Sequence, residues 1–243
     1  VDKSRILVFD SGVGGLNVFA ALKKLFPEGD FFYLSDGANC PYGSKSQDAL
    51  RALTIKALDG AGVGEYDAVV IACNTLSSIL LDYLGRETGV PTVGVLPKAG
   101  LKGRTALFCT PATAASGYVR SRCSSYEVYP LESLAKEIED NIFLTEKITP
   151  EGLPAGDFDN VILGCTHYLF LRNFFSSRYP RAKIYDGIDG AAAALRARIP
   201  AFRKKMTTCD NCITIDSRNF LGSDKKRNYE VFRAKFCKNE QIF

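Results

Sequence analysis

The 243-residue chain carries one histidine, His167, one methionine and no long apolar run. Each shortage removes a class of protein. A single imidazole leaves the Cys209-x-x-Cys212 pair and Cys237 without a nameable fourth ligand, so this half-site argues against a zinc module and no metal is expected. No stretch approaches the roughly 20 apolar residues that a membrane span needs, and the chain opens on a charged run and a strand pattern instead of a leader. A soluble, cytoplasmic protein with no membrane partner is expected. Charge of one sign is scarce too: 31 Lys+Arg against 27 Asp+Glu leave +4, too mild an excess to imply a nucleic-acid partner. The two dense basic runs, Arg203-Lys204-Lys205 and Lys225-Lys226-Arg227, read as solvated surface. The eight cysteines are irregularly spaced and several end apolar strands, where cysteine serves as a small hydrophobe, so reduced thiols are expected and a disulfide framework is not.

Familiar cofactor signatures are missing as well. Gly12, Gly14 and Gly15 have the wrong spacing for G-x-G-x-x-G, and no Lys-Ser or Lys-Thr follows to complete a phosphate loop, which disfavours a dinucleotide or nucleoside triphosphate. No lysine stands out as a Schiff-base partner for pyridoxal phosphate, so no cofactor is expected. Low-complexity segments and short-period repeats are absent.

What is present is a recurring unit: a short Val/Ile/Leu/Phe run, a polar or glycine-bearing turn, then a helix-period segment. That alternation predicts an α/β fold with mainly parallel sheets. Strands are expected near 5–10, 30–36, 66–73 and 92–96, with helices near 15–26, 47–59 and 75–86. A second series has strands near 104–110, 126–130, 160–165 and 182–185, with helices near 112–122, 132–143, 168–177 and 189–198. The Pro-, Gly- and Lys-bearing segment 97–103 is the expected crossover. Two lobes follow, residues 1–97 and 98–205, with segment 206–243, bearing a strand candidate at 212–216 and a helix at 224–237, docked on the first.

Ligands of open α/β sheets bind beyond the carboxyl ends of the strands. Two such ends echo one another, "VVIACNT" at 69–75 and "VILGCTH" at 161–167, placing Cys73 and Cys165 at equivalent positions. If the lobes face each other, two thiols meet across one cleft, one able to remove a proton from one face of a carbon and the other to return one to the opposite face. Each cysteine taken alone reads as the end of a buried strand. Each also leads into polar groups at the start of a helix, where free N–H groups bind carboxylates and lower a thiol's pKa toward neutrality. A third end, "VFDSGVGGL" at 8–16, sets Asp10 at the sheet edge beside glycines that permit close approach of a ligand. A fourth, "LSDGANCPYGSK" at 34–45, sets Asp36 before Pro41-Tyr42-Gly43.

Together "FDSGVGG", "SDGANCPYG", "ACNT" and "LGCTHY" resemble, in order and over most of the chain, the glutamate racemases of the aspartate/glutamate racemase superfamily. The resemblance implies two pseudo-symmetric, Rossmann-like lobes with the active site in the cleft between them. It implies cofactor-independent interconversion of L- and D-glutamate, supplying D-glutamate to bacterial peptidoglycan synthesis, and a homodimer. Carried over, Cys73 and Cys165 are the catalytic thiols, Cys73 for the proton of the D-enantiomer and Cys165 for that of the L-enantiomer. Asp10 assists Cys73, and His167 assists Cys165. Ser11, Tyr42, Gly43, Asn74, Thr75, Thr113 and Thr166 hold the substrate carboxylates; Asp36 is auxiliary, and Glu137 matches an acidic residue that orients the histidine or else is one more charge on a solvated helix face. Two departures stand out: Leu169-Phe170 where the family often has proline, and Asp36-Gly37-Ala38-Asn39 where a "DTxR" turn is common. Alternatives are a racemase of aspartate or another small acid, and a regulatory protein that binds DNA gyrase.

Overall fold

The computed structural model describes residues 3–203 and 217–237. Among the described residues nine strands form two sheets, and every strand pair is parallel. The first sheet runs β4 (Thr92–Gly94), β3 (Ala68–Ile71), β1 (Arg5–Asp10), β2 (Asp30–Ser35), β9 (Phe220–Leu221). The second runs β6 (Glu127–Pro130), β5 (Thr105–Cys109), β7 (Asn160–Gly164), β8 (Lys183–Tyr185). The α/β class expected from the alternating pattern is thus the observed one.

Burial on both faces explains why the central strands read as unbroken apolar runs. In β1, Ile6 and Val8 pack with Val18, Phe19 and Leu22 of helix α1 (Leu16–Leu25), while Leu7 and Phe9 point the other way. There they meet Leu50 and Leu58 of α2 (Gln47–Gly60) and Leu76, Leu80 and Leu84 of α3 (Asn74–Thr88). The α1 face continues without a break into Phe108, Leu163, Phe175 and Tyr179 beside the second sheet, so one core underlies both.

Local chemistry shifts some expected boundaries. The single helix expected over 112–122 is two, α4 (Pro111–Ala114) and α5 (Gly117–Arg122), because Thr110 and Ser116 each cap a helix start with their hydroxyls. The chain continues through α6 (Leu134–Asp140), a 3₁₀ turn Thr166–Leu171 running into α7 (Arg172–Arg178), and α8 (Ile188–Arg198). Helix α8, grouped above with residues 98–205, packs on α1, β3 and β4 of the first sheet, so the chain returns to that sheet before residue 206. The strand candidate 212–216, with Cys209 and Cys212, lies outside the described residues; the tail's described strand is β9, paired with β2 through Tyr33–Phe220 and Leu34–Leu221. Helix α9 (Lys225–Phe236) follows it. Among the described residues no helix is long and apolar enough to cross a membrane.

The two sheets interlock at the loop after β1. Gly14 lies so close to the 166–167 turn that an added Cβ would stand 2.5 Å from Thr166 Oγ1 and 2.7 Å from His167 N. Part of that contact is rigid backbone. Gly14→Ala is expected to destabilise the fold by about 1–3 kcal/mol, the usual cost of overpacking, measured by denaturant unfolding.

Candidate functional site

The site grows from four strand ends. Strand β3 runs through Ala72 to Cys73, whose thiol sits just before the first turn of α3, and β7 runs directly into Cys165. Both are buried, with 5% and 7% of their surface exposed. Their charges would interact, because Cys165 is among the groups that raise the Cys73 pKa. The helix start was expected to lower that pKa. Burial wins instead: it pushes the Cys73 thiol far up, and the N–H groups of Leu76 and Thr75 recover only part of the shift.

Each thiol has a different neighbour. On the Cys73 side Asp10 is fully buried, its carboxylate accepting from Gly12 N–H at 3.0 Å and from Thr166 Oγ1 at 3.1 Å. Burial pushes it up to about 6, against the pull of the His167 charge and of these two hydrogen bonds. On the Cys165 side His167 Nδ1 lies 3.8 Å from Cys165 Sγ, and Nε2 lies 2.7 Å from Glu139 Oε2. Burial alone would lower the imidazole's pKa, but the bonds to Cys165, Cys40 and Glu139 raise it well above its usual value. Glu139 shows the complement. Burial favours its neutral form, yet His167, the Val13 N–H and Arg227 together hold it down at about 2. Both shifts run in the direction that favours an imidazolium facing a carboxylate, and the ring nitrogen not bonded to Glu139, Nδ1, faces the Cys165 thiol.

The acidic partner of the histidine is Glu139, and of the two readings open for Glu137 the exposed charge on a helix face is the one observed. Glu137 is exposed and bonds through its backbone: its N–H donates to the Ser133 carbonyl and its carbonyl accepts from Asn141. A signal for this exists: Leu134, Ala135 and Ile138 mark the buried face of α6, and Glu139 falls on it while Glu137 falls opposite. Other predicted residues divide. Thr75 and Thr113 meet across the two sheets, with Oγ1 atoms 3.2 Å apart, and both contact Thr110 Oγ1 at 3.0 Å, a hydroxyl the sequence reading missed. Gly43 packs under Thr110 and its carbonyl accepts from Ala112 N–H. Tyr42 donates its hydroxyl to the Asp36 carboxylate at 2.6 Å, and the Asp36 N–H donates to the Asp10 carbonyl at 3.2 Å. Asn74 commits its amide to the Val95 carbonyl, Ser11 lies buried beside Asp10, and Thr166 is spent on Asp10. Arg227, read in sequence as part of a solvated basic run, instead bonds Glu139.

Cys40, Glu139 and His167 bring three donor atoms within 4.8 Å of one another, the geometry of a metal cluster. Two of the three are already bonded to each other, and Glu139 Oε2 also takes the Val13 N–H at 2.9 Å, so the group reads first as a hydrogen-bonded relay. A cavity of about 670 Å3 lies elsewhere, lined by Leu96, Lys98, Tyr118, Tyr185 and Ile188, and it includes none of the predicted site residues.

Asp10 supplies a stability test. Its pKa of about 6 in the fold exceeds the ordinary carboxyl value of 3.8, so the fold binds this proton more tightly than the unfolded chain does. Stability from this group is full below the unfolded value and is lost as pH rises through about 6. The Tm of Asp10→Asn relative to the parent should therefore move in the variant's favour between about pH 4 and pH 7, measured by thermal melts across that range.

No family model matches the chain. It is 31% identical to a glutamate racemase of Clostridium novyi, with 100% of this chain and 95% of the relative covered. It is 36% identical to one from Vibrio parahaemolyticus over 70% of each. The crystal structure of glutamate racemase from Campylobacter jejuni subsp. jejuni superposes with a TM-score of 0.73 at 24% identity, covering 98% of this chain and all of that one (100%). The Thermus thermophilus glutamate racemase, solved with beta-chloro-D-alanine, gives 0.65 at 30% identity over 82% of this chain and 81% of its own. With motifs, fold and relatives in agreement, the chain belongs to the glutamate racemases, a family of isomerases.

Proposed function

We propose that this protein interconverts L- and D-glutamate by proton transfer between the substrate α-carbon and two thiols, Cys73 and Cys165. The observation that carries the reading is that each strand-end cysteine has a proton-handling group acting on it: the Asp10 charge raises the Cys73 pKa, and His167 Nδ1 lies 3.8 Å from Cys165 Sγ. One thiolate takes the α-proton. The opposite thiol gives its proton to the other face of the resulting carbanion, and the configuration inverts with no net gain or loss of protons. The direction implied by the family resemblance assigns the D-enantiomer's proton to Cys73 and the L-enantiomer's to Cys165.

The physical demands of the step match the surroundings. An α-proton flanked by an ionised carboxylate is very weakly acidic, so the base must be strong and the developing charge must be met by preorganised donors. Burial that raises the Cys73 pKa makes its thiolate a stronger base once formed, and the ammonium group of a bound amino acid favours that thiolate by opposite charge. The Thr75, Thr110 and Thr113 hydroxyls form one cluster able to turn toward a carboxylate. The product, D-glutamate, supplies peptidoglycan synthesis in this reading.

Circular dichroism of enantiopure glutamate is expected to decay to zero in the presence of the protein, and faster than that of aspartate. Cys73→Ser and Cys165→Ser should each lower the rate by about 10²–10⁴-fold, the range for loss of a positioned acid or base. Wild-type turnover in both variants would eliminate the two-thiol mechanism, and faster loss of the aspartate signal would reassign the substrate.

A further inference from the structure

The carboxyl-terminal helix α9 grips the candidate site from both sides. Toward the first sheet, Asp224 accepts from Gly37 N–H at 2.8 Å and Asn228 donates to Ser35 Oγ at 2.9 Å, fastening the helix start to the turn that carries Asp36 and Tyr42. Toward the second, Arg227 bonds Glu139 Oε1 and donates to the Glu139 carbonyl at 2.6 Å. Phe236 packs on Phe170, 6.2 Å between ring centres, in the same turn as His167. Two of these contacts fall where the chain departs from its family's motifs. Leu169-Phe170 follows "GCTHY" where the resembled family often has proline, and Gly37 belongs to the Asp36-Gly37-Ala38-Asn39 turn that departs from "DTxR". A Cβ on Gly37 would stand 2.5 Å from Asp224 Oδ2, so the absent side chain leaves room for the Asp224 carboxylate.

We propose that Arg227 is a positioning residue for His167, acting through Glu139, with α9 as the strap that delivers it. The proposal rests on the racemase reading of Cys165 and His167. Its logic is one of lone pairs. Glu139 Oε2 is used by His167 and by Val13, which leaves Oε1 buried and in need of a partner. A guanidinium fork satisfies Oε1 and the residue's own carbonyl at once, which fixes the carboxylate's rotation as well as its charge. With Oε2 so aimed, Nε2–H is held and Nδ1 faces Cys165. A lysine supplies the charge without the fork.

The groups facing Glu139 are His167 and Cys40 across the site, Arg227 from α9, Asp10 and Tyr33 beyond the loop after β1, and Lys136 and Asp140 on its own helix. Asp10, with its value of about 6, shapes the acid limb of any activity profile, so activity alone does not isolate Glu139. His167 does, because it is the only histidine and its ring nitrogens give one unambiguous set of NMR signals.

The test is a pH series of imidazole ¹⁵N spectra on the full chain, its Arg227→Gln variant and its Arg227→Lys variant, with kcat and KM for glutamate beside them. Loss of the cation lets Glu139 take a proton at higher pH, so the transition in the Nε2–H signal should move up by about 1–3 pH units in the Gln variant and by less in the Lys variant. The kcat should fall about 10–100-fold in the Gln variant with KM little changed, and recover in part with lysine. An unchanged imidazole transition in a folded Gln variant overturns the proposal, even if activity is lost. Should the Gln variant not fold, the Lys variant decides: an intermediate shift supports the proposal and a wild-type transition overturns it. A shifted transition in a protein that does not racemise glutamate supports the positioning role and sinks the racemase reading alone.

Discussion

The contact between His167 and Glu139, 2.7 Å from Nε2 to Oε2 in a fully buried setting, is the constraint to which the rest of the site answers. A buried ion pair adds little net stability, yet removing one partner costs about 3–5 kcal/mol because the other is left charged and unpaired. Such a pair persists only where its remaining lone pairs and protons are all met. Here the Val13 N–H comes from the loop after β1, the Arg227 fork from α9 and the imidazole from the turn after β7. Three distant pieces of chain converge on one carboxylate, and the core shared by the two sheets keeps them in register.

The two halves of the site echo each other in backbone and differ in chemistry. A thiol stands at the end of β3 and another at the end of β7, but the charge of a buried carboxyl, Asp10, acts on the first and the His167 imidazole faces the second. The halves are also bonded across the divide. Thr166 from the second sheet donates to Asp10 of the first, and the Asn17 amide reaches the Thr166 carbonyl at 3.4 Å. Proton affinity on one side is thus tied to geometry on the other. That coupling suits a reaction in which one thiol must be empty when the other is loaded.

Much of this was legible in the chain because parallel strands buried on both faces leave a strong trace: β1, β5 and β7 stand within a residue of their expected limits. The strand-end cysteines, Asp10 and His167 were visible for the same reason, since sheet edges are where such folds place their ligands. Residues defined by three-dimensional convergence were not. Thr110 is a helix cap in sequence and becomes a site hydroxyl only when α3 arrives beside it. Arg227 sits in a basic run that resembles any solvated face, and a two-residue edge strand such as β9 carries no periodicity to read. Glu139 is the intermediate case, recoverable from the buried stripe of α6 but masked by a second glutamate two residues before it.

Two separate proton carriers leave a signature that no single shared base can produce. When one protiated enantiomer of glutamate is placed in D2O, each product molecule receives deuterium from the opposite thiol while the remaining substrate stays protiated. The deuterated product returns more slowly, so the optical signal should cross zero, invert and then decay. A signal that falls to zero with no inversion, and early deuterium in the unreacted enantiomer, would contradict the account.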